Sequence, residues 1–538
     1  MKKTLIFLIL TTLFLTACNL AVATPVPVID NPTRPYVNIA QSATEVTVPT
    51  ATRQVRAIPT DTPAPATPIP SPTASPFECG ITEGEHIQQT IDATVDYANK
   101  TADVTQIVRY RNDETIDLSE VVFAIEPNAQ ADVFTLTSLA IGDDDTGTEP
   151  YHTLDRSRLT VRLPNTLNPG CTATISLAFT LNIPRIGIGL NAGKGYFGYS
   201  DRQINLGHWL PTPAVRLDGT WIVNNVQTIG EQNILEQADW DVTLTVTGVS
   251  NVIVAAPGTL ETSESDDLRW HYTFESARDF PISLSPTWQV ETATTRNGVI
   301  VEVYHFGDTI RTLESGQVNG AAHTLTISVQ AMEQFSALFG LYPYERMLVV
   351  QGDFPDGMEF SGLVYVSTNW FYSFDGGIQN YLSLITIHEV AHQWWYLIVG
   401  NDAANTPWLD EALATYSEYI YIEEYYPELR DWWWSFRVAW FNPEGAVDSD
   451  VYTFETARDY INAVYLRGVQ MLQNLRDDVG TETFFEILAT YAQQARGEVA
   501  TAELFWSLFT PEQLENTATT RDAFLNQPDV IVPAGTGQ

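Results

Sequence analysis

Apolar and polar side chains alternate along much of the first half of the chain, between residues 79 and 295. The alternation is clearest in DATVDYANKTADVTQIVRYRN, CTATISLAFTLNIP and WDVTLTVTGVSNVIVAAPGTL, where β-branched residues are frequent and turn-forming residues separate the runs. Successive side chains of a strand point to opposite faces of a sheet, so this period indicates strands with one buried face. The pattern predicts an antiparallel β domain over residues 79–295, built as a sandwich or a saddle-shaped sheet.

The period changes to a helical one at about residue 318 and stays helical for most of the remaining chain. A strand-like segment, GVIVEVYHF, precedes the change, and MLVVQ and GLVYVS interrupt the helical pattern. Helices and a short sheet after an all-β domain predict a second, α+β and mostly helical domain over residues 296–527, followed by a tail over residues 528–538. The chain is therefore predicted to be multidomain, as its 538 residues also favour.

The first 78 residues follow neither pattern. A basic start, MKK, precedes an apolar run over residues 5–15 that is too short to span a bilayer, and the segment LTAC ends at Cys18. These features resemble a bacterial lipoprotein signal over residues 1–18, which implies acylation of Cys18 and display outside the cytoplasm on a membrane lipid anchor. Residues 19–78, rich in Pro and Thr, are predicted to form a disordered tether.

Two further cysteines, Cys79 and Cys171, lie in the predicted β domain. An exported protein meets an oxidising compartment, in which neighbouring cysteines form disulfides. A disulfide between these two remains a hypothesis at this point, because the sequence does not reveal whether their Cα atoms come within reach.

The charge balance narrows the range of partners. The chain has 66 acidic and 27 basic side chains, which gives a formal net charge of −39. A field of this sign repels phosphate backbones, so nucleic acid is not expected as a partner. The charge mildly favours cationic substrates, but it determines neither the specificity nor the oligomeric state.

The segment TIHEVAHQWW carries two histidines, His388 and His392, four residues apart in an apolar helical context. This spacing places both imidazoles on one face of a helix, one turn apart, where they can hold one metal ion. Glu389 follows the first histidine, and its carboxylate is expected to face a water molecule rather than the metal. The pattern predicts a zinc-dependent hydrolase in which Glu389 is the general base.

A third metal ligand is expected at Glu411, nineteen residues after His392 in NTPWLDEALATYSEY. Catalytic zinc takes three protein ligands and leaves one position open, which two histidines and a glutamate satisfy with one Zn²⁺ ion. Thr406 and Pro407 predict the N-cap and first turn of the helix that carries Glu411. Glu418 lies two turns along the same face, where it could accept the second ring N–H of a zinc histidine.

H-E-x-x-H, eighteen intervening residues and a glutamate within WLDEALATY together resemble the M1 aminopeptidase family of gluzincins. The resemblance runs from about residue 83 to at least residue 475 and includes RYRN, NPGCTATISLAF, GHWLPTPAV and ARDFPISL in the β domain. It implies a thermolysin-like catalytic domain and a zinc metallopeptidase that releases N-terminal amino acids from peptides.

Two further segments are similar to motifs of that family. DGMEFSGLVYV resembles the exopeptidase motif, which implies that Glu359 binds the α-ammonium group of the substrate and that Gly357 and Met358 are neighbouring substrate contacts. YINAVYLRG resembles the Tyr-x-Lys-Gly neighbourhood, which implies that Tyr465 donates a hydrogen bond to the oxyanion, with Tyr460 beside it.

The chain departs from the family pattern at Asp356 and Phe360, which replace the outer residues of the usual G-A-M-E-N, so the shape of the first specificity pocket stays open. Only residues 466–538 follow the implied catalytic tyrosine, which predicts a more open cleft than in longer members. Two alternatives stand beside the aminopeptidase. One is a zinc endopeptidase or broad peptidase, and the other is a non-catalytic surface binding protein on a peptidase scaffold.

Overall fold

The structure is a computed structural model that describes residues 77–80, 87–142, 149–187, 194–264 and 268–529. The predicted signal segment with Cys18, nearly all of the predicted tether and most of the predicted tail lie outside the described residues. Within those ranges, no helix combines the length and the apolar character that crossing a membrane requires.

The N-terminal region is built from sheets. In the described residues, its largest sheet has eight strands, seven of them in the order Glu78–Cys79, Cys171–Asn182, Thr101–Arg111, Ile87–Asp96, Ala238–Thr247, Arg269–Ala277 and Thr259–Glu264. The eighth, Phe134–Ile141, also pairs with Cys171–Asn182. Neighbouring strands are antiparallel except Ile87–Asp96 and Ala238–Thr247, which are parallel.

Two smaller sheets and a hairpin complete this region. One sheet has the order Ile253–Ala255, Ile282–Ser285, Ile204–Leu206 and Phe197–Tyr199. The other has the order Thr212–Pro213, Leu118–Ala124, Arg158–Leu167 and His152–Asp155. The hairpin pairs Arg216–Leu217 with Thr220–Trp221.

Alternating burial along the strands explains why this sequence forms sheets. In Ile87–Asp96, Ile91 and Ala93 are buried while Thr90 and Asp92 between and beside them are exposed. The apolar face of the sheet packs into one hydrophobic core of the N-terminal region. The expected antiparallel β region is therefore confirmed.

Cys79 and Cys171 form a disulfide in the structure. They are direct partners in the register between the short edge strand Glu78–Cys79 and the strand Cys171–Asn182. The pairing fastens the edge strand to the sheet.

The second region contains a five-stranded sheet and most of the helices. The sheet has the order Gln289–Thr294, Ile300–His305, Arg346–Gly352, Leu363–Ser367 and Gly357–Phe360. Its first strand, Gln289–Thr294, was expected to belong to the β domain, but it pairs with Ile300–His305. The second region thus begins before residue 295, because hydrogen-bond partners and not the alternating pattern decide which sheet a strand joins.

The α-helices of the second region are Gly320–Phe339, Thr368–Ser373, Tyr381–Ala391, Glu411–Tyr425, Arg430–Trp433, Ala457–Tyr460, Arg467–Val479, Thr481–Gln494, Ala502–Ser507, Pro511–Asn516 and Ala518–Phe524. Two short strand pairs, Ile310–Leu313 with Gly316–Asn319 and Gly400–Asn401 with Val499–Ala500, connect them. Trp394, Trp395 and Trp433 are completely buried in the hydrophobic core of this region. A mostly helical region after the β region is confirmed.

The start of helix Glu411–Tyr425 corrects one prediction. Thr406 and Pro407 do not cap this helix, because they begin a separate short 3₁₀ turn, Pro407–Leu409. The cap is Asp410, whose carboxylate accepts a hydrogen bond of 2.7 Å from the backbone N–H of Glu411. The observed cap, Asp410, lies four residues after the predicted cap, Thr406, because a separate 3₁₀ turn lies between Thr406 and the helix.

Candidate metal centre

The two histidines of H-E-x-x-H lie at the end of helix Tyr381–Ala391, which we call the metal helix. Its N-terminus is capped by Asn380, whose side-chain oxygen accepts a hydrogen bond of 3.0 Å from the N–H of Ser383. His388 lies in the last turn and His392 follows directly after the helix, and both rings are buried. The two rings lie on the same side of the helix, as predicted, and meet edge to face at a centroid distance of 4.8 Å.

Three donor atoms from two helices converge at one point. His388 Nε2 lies 3.2 Å from Glu411 Oε2 and 3.1 Å from His392 Nε2. His392 Nε2 lies 3.5 Å from the same Glu411 oxygen. Burial lowers the pKa of His388, but hydrogen bonds that its ring donates to the carboxylates of Glu411 and Glu418 outweigh this effect and raise the pKa to about 9. The surroundings of the site therefore stabilise a positive charge.

The spacing of these donors fits a zinc ion. Four ligands arranged tetrahedrally at about 2.0–2.1 Å from zinc lie roughly 3.3 Å from one another. The observed separations of 3.1, 3.2 and 3.5 Å bracket that value. Two neutral imidazoles and one carboxylate are also the donor types that catalytic zinc prefers. We therefore assign the centre to zinc by its donor chemistry.

The outer nitrogen of His388 is held by a buried ion pair. His388 Nδ1 lies 3.3 Å from Glu418 Oε1, and Arg437 contacts both oxygens of Glu418 at 2.9 Å. Trp433 Nε1 lies 3.3 Å from Glu418 Oε2 and donates a hydrogen bond to it. The interaction places the proton of His388 on Nδ1 and leaves Nε2 free for the metal. Glu418 thus lies where the sequence placed it.

The outer nitrogen of His392 is held by the backbone. His392 Nδ1 lies 3.0 Å from the carbonyl oxygen of Trp395. This oxygen can accept a hydrogen bond from the ring because the chain leaves helical geometry at Trp395 and Tyr396. The turn is fastened by Arg278 of the N-terminal region, whose buried guanidinium donates to the carbonyls of Tyr396 and Leu397 at 2.6 and 3.0 Å. The β region thereby helps to orient the second histidine.

Glu389 lies beside the three donors and is not engaged by them. It is buried, and its Oε2 atom has no hydrogen-bond partner among the described residues. Burial raises the pKa of Glu389 well above its usual range, which suits a group that takes and returns protons. A Cβ atom added at Gly357 would lie 2.0 Å from Glu389 Oε1, so strand Gly357–Phe360 passes directly against this carboxylate.

Glu359 forms a second acidic group next to the centre. It is buried in strand Gly357–Phe360, and burial raises the pKa of its carboxyl group. Oxygen atoms of Glu359 and Glu389 and a ring nitrogen of His392 lie within 4.8 Å of one another. Across the described residues, no basic side chain forms an ion pair with Glu359. A substrate ammonium group would supply the missing charge.

The side chain of Met358 does not line the site, so a contact of Met358 with substrate would have to come from its backbone and stays a prediction. The side chain is buried in the core of the N-terminal region together with that of Phe360. Neighbouring residues of a strand point to opposite faces, so Gly357 and Glu359 face the metal helix while Met358 and Phe360 point away. The backbone of Met358 remains close to the site.

Tyr465 closes another side of the centre. It lies in the wide helical turn Ile461–Leu466, and its half-buried ring stacks on His388 at a centroid distance of 5.8 Å. Burial and the charge of Glu411 raise the pKa of Tyr465 well above its usual range, so its hydroxyl stays a hydrogen-bond donor. Tyr460 is buried and packs edge-on against Tyr465 at 5.5 Å, which fixes the position of the ring.

The structure also brings in residues that the sequence did not indicate. Arg437 has no motif around it, and only its contact with Glu418 reveals its role. Glu231 of the N-terminal region faces the same centre, and burial together with the charge of Glu359 raises its pKa well above the usual range. Lys194 lies 3.8 Å from Glu231 and 3.6 Å from Glu126.

Comparison with known proteins also indicates a peptidase. The family model described as the peptidase family M1 domain matches residues 323–523. Aminopeptidase M1-A of Oryza sativa subsp. japonica is 25% identical over 230 residues, which cover 40% of this chain and 25% of that protein. Endoplasmic reticulum aminopeptidase 1 of Mus musculus is 27% identical over 228 residues, covering 40% of this chain and 24% of that protein. The match thus spans about a quarter of the length of these relatives.

Solved structures resemble the chain over a larger part of its length. An M1 zinc metallopeptidase from Deinococcus radiodurans superposes with a TM-score of 0.59 at 19% identity, covering 83% of this chain and 95% of that chain. A two-domain M1 zinc metallopeptidase mutant bound to L-arginine gives a TM-score of 0.60 at 18% identity, covering 83% and 96%. At this level of identity the likeness establishes the fold.

Proposed function

We propose that the protein is a zinc aminopeptidase, and the match of residues 323–523 to the peptidase family M1 domain model supports this proposal. It would hydrolyse the first peptide bond of substrates that have a free α-ammonium group. The observation that carries the proposal is the convergence of three metal donors with two buried carboxylates that lack cationic partners, Glu389 and Glu359. The donors serve hydrolysis, and the second carboxylate selects the end of the peptide.

Each side chain has a separate task in this proposal. His388, His392 and Glu411 would hold a zinc ion, and that ion would supply Lewis-acid chemistry for the peptide carbonyl and for water. Glu389 takes the proton of the attacking water and delivers it to the departing amine. Tyr465 donates a hydrogen bond to the carbonyl oxygen as negative charge develops there.

Glu359 explains why cleavage is expected at the N-terminus. A buried carboxylate left without a partner is costly, so binding is favourable only when the substrate brings an ammonium group into the site. An acylated N-terminus cannot supply that charge, and an internal peptide bond places no ammonium there. Free N-terminal peptides are therefore favoured over blocked ones and over internal cleavage.

The first prediction tests this selection with Glu359→Gln. We expect kcat/KM for aminoacyl-fluorophore substrates to fall by about 10- to 100-fold, because a charge-assisted hydrogen bond is lost. Wild-type protein should hydrolyse N-acetylated substrates far more slowly than free ones, and the variant should discriminate much less. The measurement is fluorophore release at matched zinc content.

A suitable control is Glu291→Gln, which changes a carboxylate in Gln289–Thr294, the opposite edge strand of the same sheet. It should leave the ratio between free and acetylated substrates at the wild-type value. Equal rates for free and acetylated peptides in the wild type would contradict the aminopeptidase and favour an endopeptidase with the same metal.

The proposal also places the enzyme on a membrane outside the cytoplasm, and the support is the LTAC segment that ends at Cys18. Cys18 acylation is expected to move the protein into the detergent-rich phase on Triton X-114 partitioning, because acyl chains supply the membrane affinity. Cys18→Ala should shift it to the aqueous phase without changing peptidase activity. Aqueous partitioning of the wild-type protein expressed in a bacterium would contradict the anchor.

A further inference from the structure

Three carboxylates, those of Glu359, Glu389 and Asp356, lie one after another along strand Gly357–Phe360 at the candidate active site. It is the edge strand of the five-stranded sheet and pairs on one side with Leu363–Ser367. Glu359 lies near one end, Gly357 rests against Glu389, and Asp356 directly precedes the strand. A strand advances about 3.3 Å per residue, so Asp356 and Glu359 lie roughly 10 Å apart on either side of the proton-transfer group.

An extended substrate presents its groups in the same order. If its ammonium group binds Glu359 and its first peptide bond lies at Glu389, its second residue extends past Gly357 toward Asp356. A lysine or arginine side chain at that second position carries its charge several Å from the backbone, far enough to meet a carboxylate beyond the scissile bond. The first residue cannot reach Asp356 in this way, because it lies on the other side of Glu389.

The carboxylate of Asp356 is available for such a contact. The side chain of Asp356 is exposed, although desolvation by the surrounding protein raises the pKa of its carboxyl group, and it forms no hydrogen bond or ion pair with any residue that the structure describes. Two basic side chains whose charges act on Asp356, Arg437 and Arg458, also have other partners. Arg437 holds Glu418 at 2.9 Å, and the guanidinium of Arg458 lies 4.4 Å from the centroid of the Phe441 ring. The charge of Asp356 is thus left for a group that enters the cleft.

The backbone at Asp356 limits which residues fit there. Its φ angle is 69°, in the left-handed region that glycine adopts freely and that Asn and Asp tolerate better than other residues. The aspartate at this position places a negative charge where an uncharged glycine would fit the backbone more easily. Asn and Gly substitutions accordingly remove the charge without forcing the chain into a new conformation.

We propose that Asp356 determines specificity for the second residue of the substrate and favours lysine or arginine there. This inference rests on the proposed aminopeptidase function and adds its substrate class: peptides with a free N-terminus followed by a basic residue. Asp356 binds and orients the part of the peptide that follows the cleaved bond. Glu389 alone transfers the proton.

The test compares three tripeptides, Leu-Lys-Ala, Leu-norleucine-Ala and Leu-Glu-Ala, by the rate of leucine release. In the wild type, kcat/KM for the lysine peptide should exceed that for norleucine by about threefold to tenfold, and the glutamate peptide should be the slowest. The preference should shrink between 0.05 and 0.5 M salt, since ions screen an exposed pair. In Asp356→Asn and Asp356→Gly, the lysine to norleucine ratio should fall to about one.

The matched control is Asp132→Asn, which makes the same change at another exposed aspartate with a left-handed backbone, φ 62°, in the N-terminal region. It should keep the wild-type ratio. Calorimetric binding of the same peptides to zinc-loaded Glu389→Gln protein, with and without Asp356→Asn, reports the preference without turnover. A wild-type ratio near one, or a ratio that survives both Asp356 variants, overturns the inference.

The two proposals fail in different ways. Absence of hydrolysis of every peptide by zinc-loaded wild-type protein contradicts the aminopeptidase, while the calorimetric preference still decides the role of Asp356. Hydrolysis at equal rates for lysine and norleucine leaves the aminopeptidase in place and removes the role of Asp356 alone.

Discussion

Replacing Glu389 by glutamine is expected to reduce kcat by about 10²- to 10⁴-fold while zinc stays bound at one ion per chain. The amide keeps the size and shape of the carboxylate but cannot accept and return a proton at neutral pH. Glu389 is not among the three converging donors, and its Oε2 atom has no partner among the described residues, so the change leaves the metal ligands intact. Peptide turnover and metal analysis on the same preparation measure both quantities.

Tyr465→Phe provides the comparison. It removes one hydrogen-bond donor from the developing oxyanion and should lower kcat by about 10²-fold, again with zinc retained. Activity of Glu389→Gln within tenfold of the wild type would show that another group transfers the proton. Loss of zinc together with activity would instead indicate that Glu389 helps to hold the metal.

Replacing Arg437 by methionine is expected to lower the free energy of unfolding by about 3–5 kcal/mol. The change removes the cation that contacts both oxygens of Glu418 and leaves that carboxylate buried without a full counter-charge. Because Glu418 orients His388, the affinity for zinc should also fall by roughly 10- to 100-fold. Urea unfolding and competition with a chelator measure the two effects.

Two further variants distinguish the effect of losing the ion pair from the effect of general damage to the core. Adding Glu418→Gln to Arg437→Met should recover part of the stability, since the unpaired charge is gone, but not the zinc affinity. Arg476→Met breaks a less buried pair with Glu423, 2.8 Å apart, and should cost less stability and leave zinc affinity unchanged. An equal loss of zinc affinity in Arg476→Met would contradict a specific role for Arg437.

Several predictions from the sequence depended only on local geometry, and these agree with the structure. His388 and His392 meet because four residues make about one helical turn. Strands such as Ile87–Asp96 form because alternating side chains give one buried face. Glu418 lies near His388 because both helices present these residues on the faces that pack together.

Other features could not be predicted because they depend on which distant segments meet. Arg437 pairs with Glu418, 19 residues earlier, and Arg278 reaches the turn after the metal helix across 118 residues. Gln289–Thr294 joins the second sheet through its partner strand and not through its own pattern. The exopeptidase-like segment indicated Met358 as a substrate contact, whereas pairing of that strand points its side chain into the core.

The sequence by itself determined the two-part architecture and predicted the metal ligands and the general base, since each follows from the period and spacing of residues along the chain. The tertiary structure alone decided how the histidines are oriented, which carboxylates lack a counter-charge, and that Asp356 is exposed directly before strand Gly357–Phe360. The physical reason is that helical and strand periods act over a few residues, while burial and charge pairing depend on contacts between segments far apart in the chain.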